Sequence, residues 1–252
     1  MSGHNKWSKI KRAKGQTDAK RGQIFTKLGR EIFIAVREGG PDPEGNFRLR
    51  LAIQKCRENN MPMDNVNSAI KRASGAAGSG AALVEANFEG YGPSGAAILI
   101  QTLTDNRNRT LQDIRNALNR GGGSLAEAGS VAWLFESKGT ITIDTGSASG
   151  EDVALAAIDA GADDVSIEEG YLEVYTAPNK LELVRKALEQ AKYTISSAEV
   201  SMLPKTPLEL GEEEAFKALK LMDRIEELDD VQRVFSNVEF SDAVIEKLRA
   251  GA

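Results

Sequence analysis

The sequence holds one cysteine and one histidine in 252 residues. Cys56 has no partner for an internal disulfide, which fits a reducing cytoplasm. His4 and Cys56 lie far apart, and zinc needs several such ligands at close spacing, so no metal site is expected. No apolar run approaches the roughly 18 residues of a membrane span. The N-terminus is basic but lacks the apolar segment and cleavage site of a secretory signal, and the Arg-rich amphipathic pattern of an organelle presequence is not evident. A cytoplasmic location without membrane contact is therefore expected. No GxxxxGK[ST] loop, no GxGxxG after a strand and no GxSxG elbow occurs. Gly121-Gly122-Gly123 follows a helical pattern rather than opening one, so it reads as a turn. The acid pairs Asp163-Asp164 and Glu168-Glu169 read as solvated charge on a hairpin. Without a catalytic constellation, the expectation is a non-enzyme with no cofactor and no small-molecule substrate.

What the chain does have is charge, unevenly placed. Composition is globular, 41% apolar and 27% charged, and the length can hold two or three domains. The net charge of −5 taken alone argues against a polyanion partner. Its distribution argues the other way. Residues 1–75 carry 16 Lys and Arg against 7 Asp and Glu, whereas residues 76–252 carry 16 against 30. Such a chain presents one end to a polyanion and keeps the other off it.

The basic end is densest at its start. Up to Arg21 there are seven cations (Lys6, Lys9, Lys11, Arg12, Lys14, Lys20 and Arg21) against one acid, Asp18. Trp7 lies among them, and no apolar period runs through residues 1–15. Cations that neutralise phosphates and release counterions, beside a ring that can stack on a base, suit a nucleic-acid-binding arm. The plainer alternative is a solvated charged terminus.

Further along, Thr17 and Asp18 suit a helix start. Phe25, Leu28, Ile32, Ala35 and Val36 then form one helical stripe, with Lys27 off it, and Gly39-Gly40-Pro41 ends the helix. A second helix is expected over 46–58, with Leu49, Ala52, Ile53 and Cys56 inward, so Cys56 reads as a core residue. Arg48 and Arg50, near its start, are the best candidates for contacts that read a duplex, and Lys27 is a further candidate contact to nucleic acid. A third helix is expected from Asp64 as cap, with Val66, Ala69, Ile70 and Ala73 inward and Lys71 and Arg72 at its end. These two cations could grip phosphate or merely suit the helix dipole. The small-residue run 74–80 reads as a linker.

Beyond it the texture turns to strands. Two are expected, over 83–88 and 96–103, joined by the turn-like run 89–95; a helix carrying Leu111, Ile114, Ala117 and Leu118 inward follows, then a strand over 131–135. Residues 139–202 read as βαββαβ, the ferredoxin-like order, and 139–200 hold 4 basic against 12 acidic residues. A helix over 212–228 and a strand over 231–238 have no sheet of their own, so they are assigned to the sheet begun at Leu83. The fold class expected is thus α+β: an N-terminal helical bundle followed by two α/β sandwich-type domains. The expected domains are 1–76 (basic, helical), 81–136 plus 204–240 (middle, discontinuous) and 137–203 (acidic, ferredoxin-like, inserted in the middle domain).

A second informative stretch is Asp105-Asn106-Arg107-Asn108-Arg109-Thr110, where a strand hands over to a helix. Asn106, Arg107, Asn108 and Arg109 offer forked donors and amides suited to bases or phosphates. Alternatively Asn and Asp build the turn, Thr110 caps the helix and the arginines pair with nearby acids.

Several long motifs resemble the YebC/PmpR family, which includes the mitochondrial translational activator of cytochrome oxidase. They are 3–11 (GHNKWSKIK), 18–22 (DAKRG), Asp42-Pro43 with 48–50 (RLR), Asn60-Met61-Pro62, 103–110 (LTDNRNRT) and 129–133 (GSVAW). The sequence departs from that pattern at Pro41, where glycine is expected, and at Phe47, where proline is expected; both fall in one interhelical turn. The resemblance implies a three-domain α/β protein with a helical N-terminal domain. Some members are labelled DNA-binding transcriptional regulators. Others associate with the ribosome and help it through stalling sequences such as proline runs. Two readings follow. In one, the chain regulates transcription on promoter DNA; in the other, it is a translation factor holding ribosomal RNA. Both need a basic surface and neither needs an active site.

Overall fold

The structure is a computed structural model that describes residues 18–75, 83–145, 149–168, 170–241 and 243–244. Lys6, Trp7, Lys9, Lys11, Arg12 and Lys14, and most of the expected linker, lie outside the described residues. Seven α-helices and ten strands are described, so the fold is α+β. Phe135–Leu203 forms one compact unit and the rest of the described chain another.

The second unit begins with three helices: α1 (Asp18–Gly39), α2 (Phe47–Glu58) and α3 (Met63–Ser74). Their apolar stripes close one core, with Ile32, Ala35, Leu49, Cys56 and Val66 fully buried. Asn46 fastens the first corner. Its side-chain oxygen accepts from the Leu49 amide and so caps α2, while its Nδ2 donates to the carbonyls of Ala35 and Gly40. Asp64 is not the cap of α3, as the sequence suggests. Pro62 holds that position, and Asp64 lies in the first turn, where its charge still favours the dipole.

The same unit continues with β1 (Val84–Tyr91), β2 (Ala97–Thr104), α4 (Arg107–Arg120) and β3 (Ser124–Ala126). After the other unit it resumes with β8 (Leu208–Glu209), α7 (Glu212–Glu226), β9 (Val231–Ser236) and β10 (Val238–Glu239). The sheet order is β3-β1-β2-β9, all antiparallel, so the late strand β9 closes the sheet begun by β1. Helices α4 and α7 bury Ile114, Leu118, Leu219, Met222 and Ile225 against Ile98, Ile100 and Val234 of the sheet.

Three departures from the sequence reading belong here. Residues 89–91 are not loop but the end of β1, because Gly90 pairs with both Ile98 and Leu125. The expected strand over 131–135 is a 3-10 turn (Ala132–Leu134) that leads into the strand beginning at Phe135. It turns because buried Glu89 gathers the amides of Gly129, Val131 and Ala132 at 2.6–2.9 Å. Burial opposes its charge, but these three donors hold the carboxyl below the usual range. The expected single strand over 231–238 divides, its last part pairing in parallel with the two-residue β8.

The first unit comprises β4 (Phe135–Asp144), α5 (Gly150–Asp159), β5 (Asp164–Glu168), β6 (Tyr171–Thr176), α6 (Leu181–Gln190) and β7 (Thr194–Pro204). Its sheet order β5-β6-β4-β7 is the ferredoxin-like arrangement. Val153, Ala157, Leu181, Val184 and Leu188 fill the side of the sheet under the helices.

Candidate nucleic-acid interface

The described cations fall into two groups. The first group is spent inside the protein. Its hub is Asp230, buried in the turn before β9. Asp230 Oδ1 accepts from Arg30 of α1 at 2.9 Å. Its Oδ2 accepts from Arg109 at 2.7 Å, from the Thr110 hydroxyl at 2.7 Å and from the Thr104 hydroxyl at 3.1 Å. Burial would raise the Asp230 pKa, but Arg109 and the two hydroxyls outweigh it and hold the carboxyl below its ordinary value. Hydrogen bonds to Asp230 and then Asp105 push the Arg109 pKa up. Two neighbours extend the junction. Arg30 also donates to the Asp229 carbonyl, and Lys27 donates to the Glu226 carbonyl at the end of α7.

Several of the candidate contact residues have partners within the protein. Lys27 serves as a cationic cap on α7, a use that the dipole favours. Asn106, not Thr110, caps α4, accepting from the Arg109 amide. Arg109 is tied to Asp105 and Asp230. Arg107 lies over the Phe88 ring at 5.9 Å, and Asn108 is exposed. Arg48 pairs with Glu38 and Glu85, which ties α2 to β1. Arg50 donates to the Pro43 and Glu44 carbonyls and stacks over Phe47 at 5.8 Å. The departure at Phe47 thus has a structural use. None of Arg48, Arg50 and Arg109 presents an unengaged fork for reading bases.

The second group points outward. Lys71 and Arg72 are exposed on the last turn of α3, and among the described residues Arg72 donates at 3.4 Å to the Ser68 carbonyl. Arg57, exposed at the end of α2, and Arg115 and Arg120 on the outer side of α4 join them, though the sequence did not single these three out. Their signal was there: each falls off its helix's apolar stripe. Arg21 is exposed on α1, and Lys20 lies in the same helix. Cys56 is wholly buried and its thiol is pushed up to about 12, chiefly by burial and then by Glu31, so it is a core residue and no nucleophile. No helix among the described residues is long and apolar enough to cross a membrane.

Known proteins place the chain. Residues 5–76 match the family described as the TACO1/YebC protein N-terminal domain, and residues 83–238 match the TACO1/YebC second and third domain. The chain is 53% identical over 252 residues to the probable transcriptional regulatory protein cbdbA400 of Dehalococcoides mccartyi, covering 100% of both chains. It is 52% identical to a probable transcriptional regulatory protein of Herpetosiphon aurantiacus, covering 98% of each. Its fold is similar to the crystal structure of a conserved hypothetical protein, Aq1575, from Aquifex aeolicus. That match has a TM-score of 0.82 at 41% identity and covers 90% of this chain and 93% of the other. With both family segments matched and half its residues shared with full-length relatives, the chain belongs to the TACO1/YebC family.

Proposed function

We propose that this protein is a non-catalytic regulator of gene expression that binds nucleic acid through its basic helical domain, residues 1–76. The observation that carries the reading is the polarity of charge: 16 basic against 7 acidic residues in the first 75, then 16 against 30 in the remainder. Lys71, Arg72 and Arg57 keep part of that positive charge on the surface. Phosphate contacts need only such a surface. The names of the relatives support a regulator and favour transcription as its level of action.

A second reading, a ribosome-associated factor that holds ribosomal RNA, is favoured by one observation. The arginines best placed to read a duplex, Arg48 and Arg50, are engaged within the protein. Sequence readout in the major groove needs unengaged forked donors. A surface that grips phosphate without reading base edges suits folded RNA as well as DNA.

Crosslinking in cells, followed by sequencing of both the DNA and the RNA attached, tests the proposal. Reads concentrated at promoters support the transcriptional reading, and reads concentrated in ribosomal RNA support the second. Recovery of neither polymer above background overturns both.

A further inference from the structure

We propose that the groove between α1 and α3 holds an unpaired nucleobase, with Arg72 at its rim for the adjoining phosphate. The inference rests on the reading above that the chain binds nucleic acid; it adds where a base goes and that the base is unpaired.

The groove has a volume of about 440 Å³, within the ~300–1,000 Å³ usual for small-ligand sites. Phe25 and Phe33 of α1 line it. Eight residues apart on a helix, their Cα atoms stand about 12 Å apart along the axis. Gly29 lies midway between them and also lines the groove. A side-chain carbon placed on Gly29 would meet, beyond its own stretch of helix, no atom of the described residues within 4 Å. A glycine inside a helix costs about 1 kcal/mol relative to alanine. Among the described residues no packing requires it, and its effect is to leave the floor between two rings open.

The chemistry of the walls suits a base. Phe25 and Phe33 offer faces or edges for stacking, and Asn65 and Ser68 of α3 offer an amide and a hydroxyl for a base edge. Arg72 stands on the same wall, one helical turn beyond Ser68. Arg30 also lines the groove, though Asp230 and the Asp229 carbonyl hold its guanidinium. Among the described residues no acidic one lines it. Aromatic, neutral polar and cationic groups without a carboxylate complement a nucleotide. A paired base offers neither of its faces to such a slot, so single-stranded nucleic acid is the ligand.

The test fills the groove without disturbing the core. Among the described residues Gly29→Leu adds a side chain where nothing packs, and Gly22→Leu makes the same change two turns earlier on the same helix, outside the residues that line the groove. Both variants should fold, since leucine favours a helix over glycine; circular dichroism and melting temperature check this. Full-length parent and variants are titrated with a labelled single-stranded oligouridine and with a hairpin duplex of equal charge. The expected result is about a tenfold loss of single-strand affinity for Gly29→Leu relative to Gly22→Leu, with duplex affinity within about twofold. In the parent, 5-iodouridine crosslinking should yield adducts at Phe25 or Phe33. Equal single-strand affinity of the two variants overturns the inference, as does a parallel loss for both polymers or adducts only outside the groove. A parent that binds neither polymer instead overturns the functional reading beneath it.

Discussion

Around Asp230 and along the end of α3, basic residues stand in opposite circumstances. At the first place Arg30 and Arg109 converge on one buried carboxylate, and Lys27 caps a neighbouring helix. At the second, Lys71 and Arg72 face solvent. A count of charges weighs the two places equally; the fold does not. Cations at the first place join α1 to the sheet and fix where the helical segment sits within its compact unit. Cations at the second keep their charge at the surface. Within the donor-rich motif 104–110, Thr104, Arg109 and Thr110 belong to the first kind, all directed to Asp230.

The sharpest way to break this comparison is to remove the hub. Asp230→Asn removes the buried carboxylate that two partly exposed arginines share, and should cost about 1.5–3 kcal/mol, read from chemical denaturation. The pH dependence follows from its depressed pKa. An Asp whose folded pKa lies below its unfolded value of about 3.9 stabilises fully above that value. The stabilisation is lost as pH falls through the folded pKa. Parent stability should therefore drop below about pH 4, and Asp230→Asn should flatten that part of the profile. Glu89, held low by three amides, adds to the same acid limb.

Next in size is the arm. Deleting residues 1–17 removes Lys6, Lys9, Lys11, Arg12 and Lys14, and affinity for nucleic acid near physiological salt should fall about a hundredfold. Smaller again, Lys71→Glu with Arg72→Glu should weaken binding about tenfold in an electrophoretic or fluorescence assay without lowering the melting temperature. Smallest is Arg48→Ala. Its partners Glu38 and Glu85 are half exposed, so stability should change by no more than about 1 kcal/mol. Affinity should change less than about twofold. A large loss of affinity here would place Arg48 with the outward group and dissolve the distinction.

Much of the fold was legible in the sequence. Helices α1, α2 and α3 each carry a one-sided apolar stripe, and the hairpin of β5 and β6 is bounded by glycine and acids. The assignment of a late strand to an early sheet came from counting which elements lacked neighbours. The misses have physical causes. Strands β3 and β8, three and two residues long, are too short to show alternation. The turn at 132–134 is drawn into shape by Glu89, some forty residues earlier. The site was less legible for the same reason on a longer scale. Arg30 and Asp230 are 200 residues apart, and nothing local in either marks the other. Surface charge can be counted from a sequence, but which charges remain at the surface is decided by contacts of that range.

The central claim is that the exposed cations of the helical end, and not the body of the molecule, bind a phosphate polymer. Affinity for one single-stranded oligonucleotide, measured from about 50 to 300 mM salt, tests it most directly. The account predicts a straight fall of log K against log salt with a slope steeper than about −3, made shallower by one to two by Lys71→Glu with Arg72→Glu. A flat line, or a slope that this double substitution leaves untouched, would contradict it.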